Sequence, residues 1–258
     1  MKGIILAGGN GTRLYPITKT ISKQLLPIYN KPMIYYPLSV LINNGIEDIL
    51  IITTKRDYNI FKALLGDGKE CNIKIDYMIQ DKPNGIAEAF ILGKEFIGDD
   101  NVLLILGDNF FHGINFNNKL KRIINKNNFT GAEIFVKEVE NPERFGIVEI
   151  SEGGKIISLE EKPKTQKSNL AITGIYIFDN SVLNKVKNIK YSCRNELEII
   201  DIINDYFSEN KLKVNHLDST DKWLDVGTYE SLYEATNYVR DYKIKYNKDI
   251  GIKWNIKI

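Results

Sequence analysis

The chain has 258 residues, of which 43% are hydrophobic, 26% charged and 10% aromatic, with a formal net charge of +2. That length and composition describe a globular protein with a sizeable core and exclude a disordered chain. The near-balance of charge excludes a nucleic-acid binder that relies on bulk positive charge, and the short opening apolar run, which leads straight into glycines, excludes a signal h-region or a membrane span.

The first half alternates short apolar runs with helical patterns. Strands are predicted at 2–7, 47–54, 73–79 and 101–107, and helices at 33–44, 57–65, 86–97 and 116–127. Near-continuous Ile, Leu and Val in the first, second and fourth strands predict burial on both faces, as in a parallel sheet covered by helices. This βαβ rhythm describes a doubly wound sheet, whose ligands sit at the carboxyl ends of the strands. The second half changes character. Runs at 131–138, 146–150, 155–161 and 170–178 read as antiparallel strands, with a hairpin turn at Glu152-Gly153-Gly154. Helices follow at 180–187 and 197–207, then a strand at 211–217 and a long helix over 228–246. Cys71 and Cys193 have no CxxC partner, which predicts reduced, structural thiols of a cytoplasmic protein and no zinc site. His112 and His216 are isolated and read as structural.

The segment Leu6-Ala7-Gly8-Gly9-Asn10-Gly11-Thr12-Arg13-Leu14 carries the strongest signal. Three glycines after a buried strand let backbone N–H groups approach a ligand closely, and Arg13 with Lys23 adds charge suited to a polyphosphate. No GxxxxGK[ST] frame fits, and Leu14 stands where a dinucleotide fingerprint needs its third glycine. What remains is GGxGTRL, Pro16, and then Ser22-Lys23-Gln24-Leu25-Leu26-Pro27. Lys19 and Lys31 read as solvated surface cations.

That arrangement resembles the sugar-nucleotide pyrophosphorylases, nucleotidyltransferases that act on sugar 1-phosphates, and most closely their branch acting on dTTP and glucose 1-phosphate. Matching stretches cover nearly the whole chain: Lys31 to Leu38, Leu65 to Gly68, Leu106 to Asn109, Asn141 to Gly146, Ser158 to Pro163, Thr173-Gly174 and Trp223 to Thr228. The resemblance implies an α/β fold: a Rossmann-like, doubly wound mixed sheet with an inserted antiparallel sugar-binding lobe. It forms one nucleotidyltransferase domain, with a nucleotide half over 1–130, a sugar half over 131–228, and a C-terminal helix and short tail over 229–258.

The chemistry follows from the reactants. An already ionised sugar phosphate attacks the α-phosphorus of a nucleoside triphosphate, so the protein must bring two polyanions together and needs no general base. Arg13 suits the leaving phosphates by its fork, and Lys23 the α-phosphate as a point charge. Asp108 follows a wholly apolar strand, at the edge where a carboxylate can ligate Mg²⁺, and the resemblance adds Asp225 as second ligand. Helix capping near Thr228 is the alternative for Asp225. The resemblance places Leu6, Gly8, Gly9, Gly11, Thr12, Gln24, Gln80, Pro83 and Gly85 around the nucleotide. Gln80 reads the thymine or uracil edge with an amide, and Gln24 bonds the ribose. On the sugar side it places Asn109, Phe145, Gly146, Glu161, Lys162, Ile172, Tyr176 and Trp223, with Glu161 accepting from hydroxyls and Lys162 pairing with the sugar phosphate.

Two positions depart from the family pattern: Asn84 stands where Asp is usual, beside the base pocket, and Phe145 where Tyr is usual, which removes a hydroxyl from the sugar side. The family's long form carries a further C-terminal segment for subunit contacts and an allosteric nucleotide site, whereas Asn247 to Ile258 follow the last helix here. A cytoplasmic homo-oligomer, dimer or tetramer, is implied, with dTTP and glucose 1-phosphate as substrates and neither nucleic acid nor membrane as partner. A uridylyltransferase and a non-catalytic nucleotide-sugar regulator are the alternatives.

Overall fold

The computed structural model describes residues 1–251. The first half contains β1 (Lys2–Ala7), β2 (Pro27–Ile28), β3 (Lys31–Pro32), α1 (Tyr35–Asn43), β4 (Asp48–Thr53), α2 (Tyr58–Leu65), β5 (Lys74–Ile79), α3 (Glu88–Leu92), α4 (Lys94–Ile97), β6 (Val102–Leu106), β7 (Asn109–His112) and α5 (Ile114–Ile124). The second half contains β8 (Ala132–Glu138), β9 (Gly146–Ile150), β10 (Ile156–Glu161), β11 (Leu170–Phe178), α6 (Val182–Lys185), α7 (Ile199–Ser208), β12 (Leu212–His216), β13 (Lys222–Asp225) and α8 (Tyr229–Tyr246).

β1, β4 and β6 are the apolar runs that the sequence marks as buried on both faces. β1 pairs in parallel with β4 and β6, and β4 with β5. Parallel neighbours need crossover segments, which the helices supply, so the sheet is covered above and below. β11 then runs antiparallel to β6 through Ile175–Phe178 and to β9 at Ala171, while β8 follows it with a register break between Ile172 and Tyr176. The sheet therefore forks at Thr173-Gly174, and the fork opens toward the carboxyl ends of β1 and β6. β9 and β10 form the expected hairpin, and β12 pairs in parallel with β8 at an edge.

Three features differ from expectation. The helix predicted over 86–97 is broken into α3 and α4 at Gly93, where a side chain would meet the Ala89 carbonyl at 2.9 Å and the Ile4 side chain at 3.0 Å. Helical hydrogen bonds still run from the Gly93 N–H to the Ala89 carbonyl at 2.9 Å and from the Ile97 N–H to the Gly93 carbonyl at 2.8 Å, so the two pieces stay in line. β7 and β13 form a separate two-stranded sheet with Asp225 opposite Asn109 and Trp223 opposite Phe111. Strands of four residues carry no readable periodicity, and this pair joins segments remote in sequence. Finally, Cys193 is exposed and not packed in the interior, while Cys71 is half-buried. His112 is held by a 2.8 Å hydrogen bond between its Nδ1 and the Tyr238 hydroxyl, whereas His216 is exposed at the end of β12. Of the tail expected after α8, residues 252–258 lie outside the described residues.

α8 starts with a reciprocal cap. The Thr228 hydroxyl accepts from the Ser231 N–H at 3.2 Å, and the Ser231 hydroxyl accepts from the Thr228 N–H at 3.1 Å. Thr228 thus fills the capping role considered for Asp225. Ala235 and Val239 on α8 pack with Ile28, Tyr36, Phe110 and Val226, so the helix braces β7 and the segment after β13. Thr228→Ala is expected to lower unfolding free energy by about 1 kcal/mol, read by urea denaturation. An unchanged midpoint would show that the cap contributes nothing.

Candidate active site

A cavity of about 800 Å³ opens at the carboxyl ends of β1 and β6. Gly8, Gly9, Thr12 and Arg13 from the glycine loop line it together with Lys23 and Gln24. Leu6, Gln80, Pro83 and Gly85 line it as well, as do Phe145, Gly146, Glu161, Lys162, Ile172, Tyr176 and Trp223. Asp108, Asn109 and Asp225 line it too. Gly11 alone among the predicted residues is not in the lining. It takes a left-handed conformation (φ 58°), and a side chain there would meet Thr18 at 3.2 Å, so its place is in the turn beneath the loop. The Thr18 hydroxyl donates to the Gly11 carbonyl at 2.6 Å and fixes that turn. Lys31, expected to be solvated, instead donates to the Ile250 carbonyl at 3.0 Å.

Asp108 is 7% exposed and bound to Lys23 through a direct ion pair. Burial opposes its charge, but the Lys23 ammonium and the Asn109 amide, 3.2 Å from Oδ1, hold its carboxyl below the usual range. Asp225 goes the other way. Burial and the neighbouring Asp108 charge raise its pKa, only partly offset by the guanidinium groups of Arg13 at 3.8 Å and Arg144 at 3.6 Å and by Lys23. Two carboxylates that repel each other where burial weakens solvent screening favour a cation placed between them.

Asn109 organises the fork. Its Oδ1 accepts from the Trp223 indole N–H at 2.6 Å and from the Gly174 N–H at 3.2 Å. A side chain at Gly174 would lie 2.5 Å from the Asn109 amide, so only glycine admits this contact. One side chain thereby joins β7, β13 and the bend of β11, and its amide nitrogen also donates to Asp108. Phe145 meets Trp223 with ring centroids 5.5 Å apart, and the Arg144 guanidinium carbon lies 5.6 Å from its ring centre.

Around Glu161, burial raises the carboxyl pKa despite Lys162 and Arg194 nearby. Arg194 Nη2 lies 3.2 Å from Glu161 and 2.6 Å from Glu198. The buried Tyr176 hydroxyl is driven far up by burial and then by the charges of Glu161, Asp108 and Asp225, so it stays a neutral donor among three carboxylates.

The sequence reading missed several lining residues: Glu143 and Arg144, then Arg194, Glu196 and Glu198, and the apolar floor at Ile199 and Ile200. Arg144 lies inside the Asn141 to Gly146 stretch and was findable there. Arg194 sits in a loop without periodicity or glycine punctuation, so only the fold brings it to the rim.

The family model described as nucleotidyl transferase matches residues 2–242. The chain belongs to the nucleotidyl transferase family. It is an enzyme of that family, similar to the glucose-1-phosphate thymidylyltransferase of Neisseria meningitidis at 53% identity, over 93% of this chain and 83% of that protein. The enzyme of the same name from Mycobacterium tuberculosis is 49% identical over 93% of this chain and 82% of that protein. A solved Bacillus anthracis structure, assigned as a glucose-1-phosphate thymidylyltransferase and holding sucrose, superposes with a TM-score of 0.85 at 44% identity, covering 93% of this chain and 96% of that one.

For a nucleotidyl transferase the donor set is informative. Among the described residues no cluster of three His, Cys, Asp or Glu side chains forms a metal cage. Asp108 and Asp225 offer two hard carboxylates lining one cavity, a donor set that fits Mg²⁺, an ion that keeps waters and takes substrate phosphate oxygens. The Arg13 guanidinium rests on Gly227, where a side chain would come within 2.5 Å of Nη2. Gly227→Ala is therefore expected to push Arg13 aside and reduce kcat/KM by about tenfold or more with little change in melting temperature. Wild-type kinetics in that variant would remove Arg13 from the reaction.

Proposed function

We propose that this nucleotidyl transferase moves a deoxythymidylyl group from dTTP to α-D-glucose 1-phosphate, giving dTDP-glucose and pyrophosphate. The observation that carries this reading is that one cavity is lined by the Gln80 amide, the cations of Arg13 and Lys23, and Glu161, Lys162 and Tyr176; we assign these in turn to the base, the phosphates and the sugar. The named activity of the relatives supports the same choice of substrates.

In this reading a sugar-phosphate oxygen attacks the α-phosphorus in line, the bond from that phosphorus to the β-bridging oxygen breaks, and the electron pair leaves with pyrophosphate. The attacking oxygen is already ionised, and no histidine or cysteine lines the cavity among the described residues. Catalysis then consists of positioning and charge neutralisation. Lys23 transfers its ammonium from Asp108 to the α-phosphate, where negative charge accumulates. Arg13 forks onto the departing phosphates, while Glu161 accepts from sugar hydroxyls and Lys162 holds the sugar phosphate. Mg²⁺ held by Asp108 and Asp225 would supply the remaining neutralisation of the triphosphate.

Purified protein given Mg²⁺, glucose 1-phosphate and either dTTP or UTP, alone and mixed, is expected to release pyrophosphate with preference for dTTP. Preference for UTP would make it a uridylyltransferase, and no release with either would overturn the reading. Lys23→Ala should lower kcat by about 100-fold or more while changing the KM for dTTP far less, because its charge acts on the transition state. A change confined to KM would assign Lys23 to ground-state binding.

A further inference from the structure

Gln80 can bind two opposite pyrimidine edges. With its carbonyl oxygen toward the base it accepts from the N3–H of thymine or uracil, and with the amide turned over it donates to the bare N3 of cytosine. What decides between these senses is outside the cavity. Glu88, in the first turn of α3, accepts from the Gln80 amide at 2.7 Å through Oε2 and from the Asn84 amide at 2.7 Å through Oε1. A carboxylate only accepts, so each neighbouring amide must present its NH₂ to it. The Gln80 oxygen is thereby sent to the other side, against Gly8, where a side chain would lie only 2.4 Å from it. Gln80 is 5% exposed, so few other partners are available to it. Its second amide hydrogen faces the Gly85 carbonyl at a long 3.4 Å and is available to a base carbonyl.

The loop holding these groups is clamped. The Leu197 N–H donates to the Asn84 carbonyl at 2.6 Å, and the Ala87 N–H donates to the Leu197 carbonyl at 3.2 Å. Gly85, at φ 107°, has the Leu197 carbonyl 2.3 Å from where a side chain would stand. The clamp holds the backbone from Asn84 to Ala87, which leads directly into the first turn of α3 that carries Glu88. The departure at Asn84 also takes on a meaning: an aspartate there would set a second carboxylate against Glu88, whereas the asparagine amide satisfies it.

From this geometry we infer that Glu88 is a positioning residue that locks the sense of the Gln80 amide and makes the enzyme reject donors with an unprotonated N3, cytidine nucleotides above all. The inference rests on the reading of Gln80 as the base-recognition residue. Glu88→Gln tests it, since a neutral amide of the same shape can donate or accept and so permits either sense of Gln80. Donor discrimination is measured as the ratio of kcat/KM for dTTP to that for dCTP, with glucose 1-phosphate as acceptor. In E88Q the ratio is expected to fall by about tenfold or more, through a rise with dCTP and a loss of a few-fold with dTTP. A merely structural loss would lower both donors together and leave the ratio unchanged, and that result overturns the inference. Glu88→Ala, which removes the acceptor altogether, is the second variant should E88Q fold poorly, and the same fall in ratio is required of it. Wild-type protein that shows no preference for dTTP over purine triphosphates would instead defeat the reading of Gln80, a result distinct from failure of Glu88 alone.

Discussion

A buried carboxylate at the end of a buried strand is the constraint around which the cleft is built. Placing Asp108 at the carboxyl end of β6 with 7% exposure would cost several kcal/mol if it stood alone. The fold offsets that cost with Lys23 and Asn109, and each brings a further piece of the cavity with it. Lys23 arrives on the segment that follows the glycine loop. Asn109 begins β7, whose pairing with β13 puts Asp225 opposite it. The Val226 N–H then donates to the Asp108 carbonyl at 2.9 Å, fastening the two carboxylate-bearing segments directly. Distant parts of the chain are thus drawn to one point by a charge that must be balanced.

The resulting balance is deliberately incomplete. Lys23 satisfies Asp108, but Asp225 has its pKa raised by burial and by Asp108, and the two guanidinium groups near it stand at 3.6 and 3.8 Å, beyond hydrogen-bonding range. Arg13 keeps about half its side chain exposed, so it is available to substrate and not consumed by structure.

Much of this was legible in the sequence, and the reasons differ by element. The strands β1, β4 and β6 were readable because burial on both faces leaves an uninterrupted apolar signature, and the glycine loop because its backbone demands cannot be met by other residues. Asp108 was readable as a carboxylate directly after a wholly apolar strand, whereas Gln80, Glu161 and Asp225 were reached by family resemblance, since no local periodicity marks them. The β7–β13 pair was illegible because its strands are too short to pattern and its register depends on two remote segments meeting. Arg194 and Glu88 were missed for a related reason: each is an ordinary charged residue by sequence, and becomes specific only through the carboxylate or amide that the fold sets beside it. The departure at Phe145 has a physical reading too, as its ring packs on Trp223 and under Arg144, contacts that need no hydroxyl.

The most direct test of this charge-balance account is a structure of the protein with Mg²⁺ and a non-reactive dTTP analogue. The account predicts that the metal takes oxygens from both Asp108 and Asp225, and that the Lys23 ammonium leaves Asp108 for an oxygen of the α-phosphate. A bound nucleotide with Lys23 still paired to Asp108, and the metal held without either carboxylate, would contradict it.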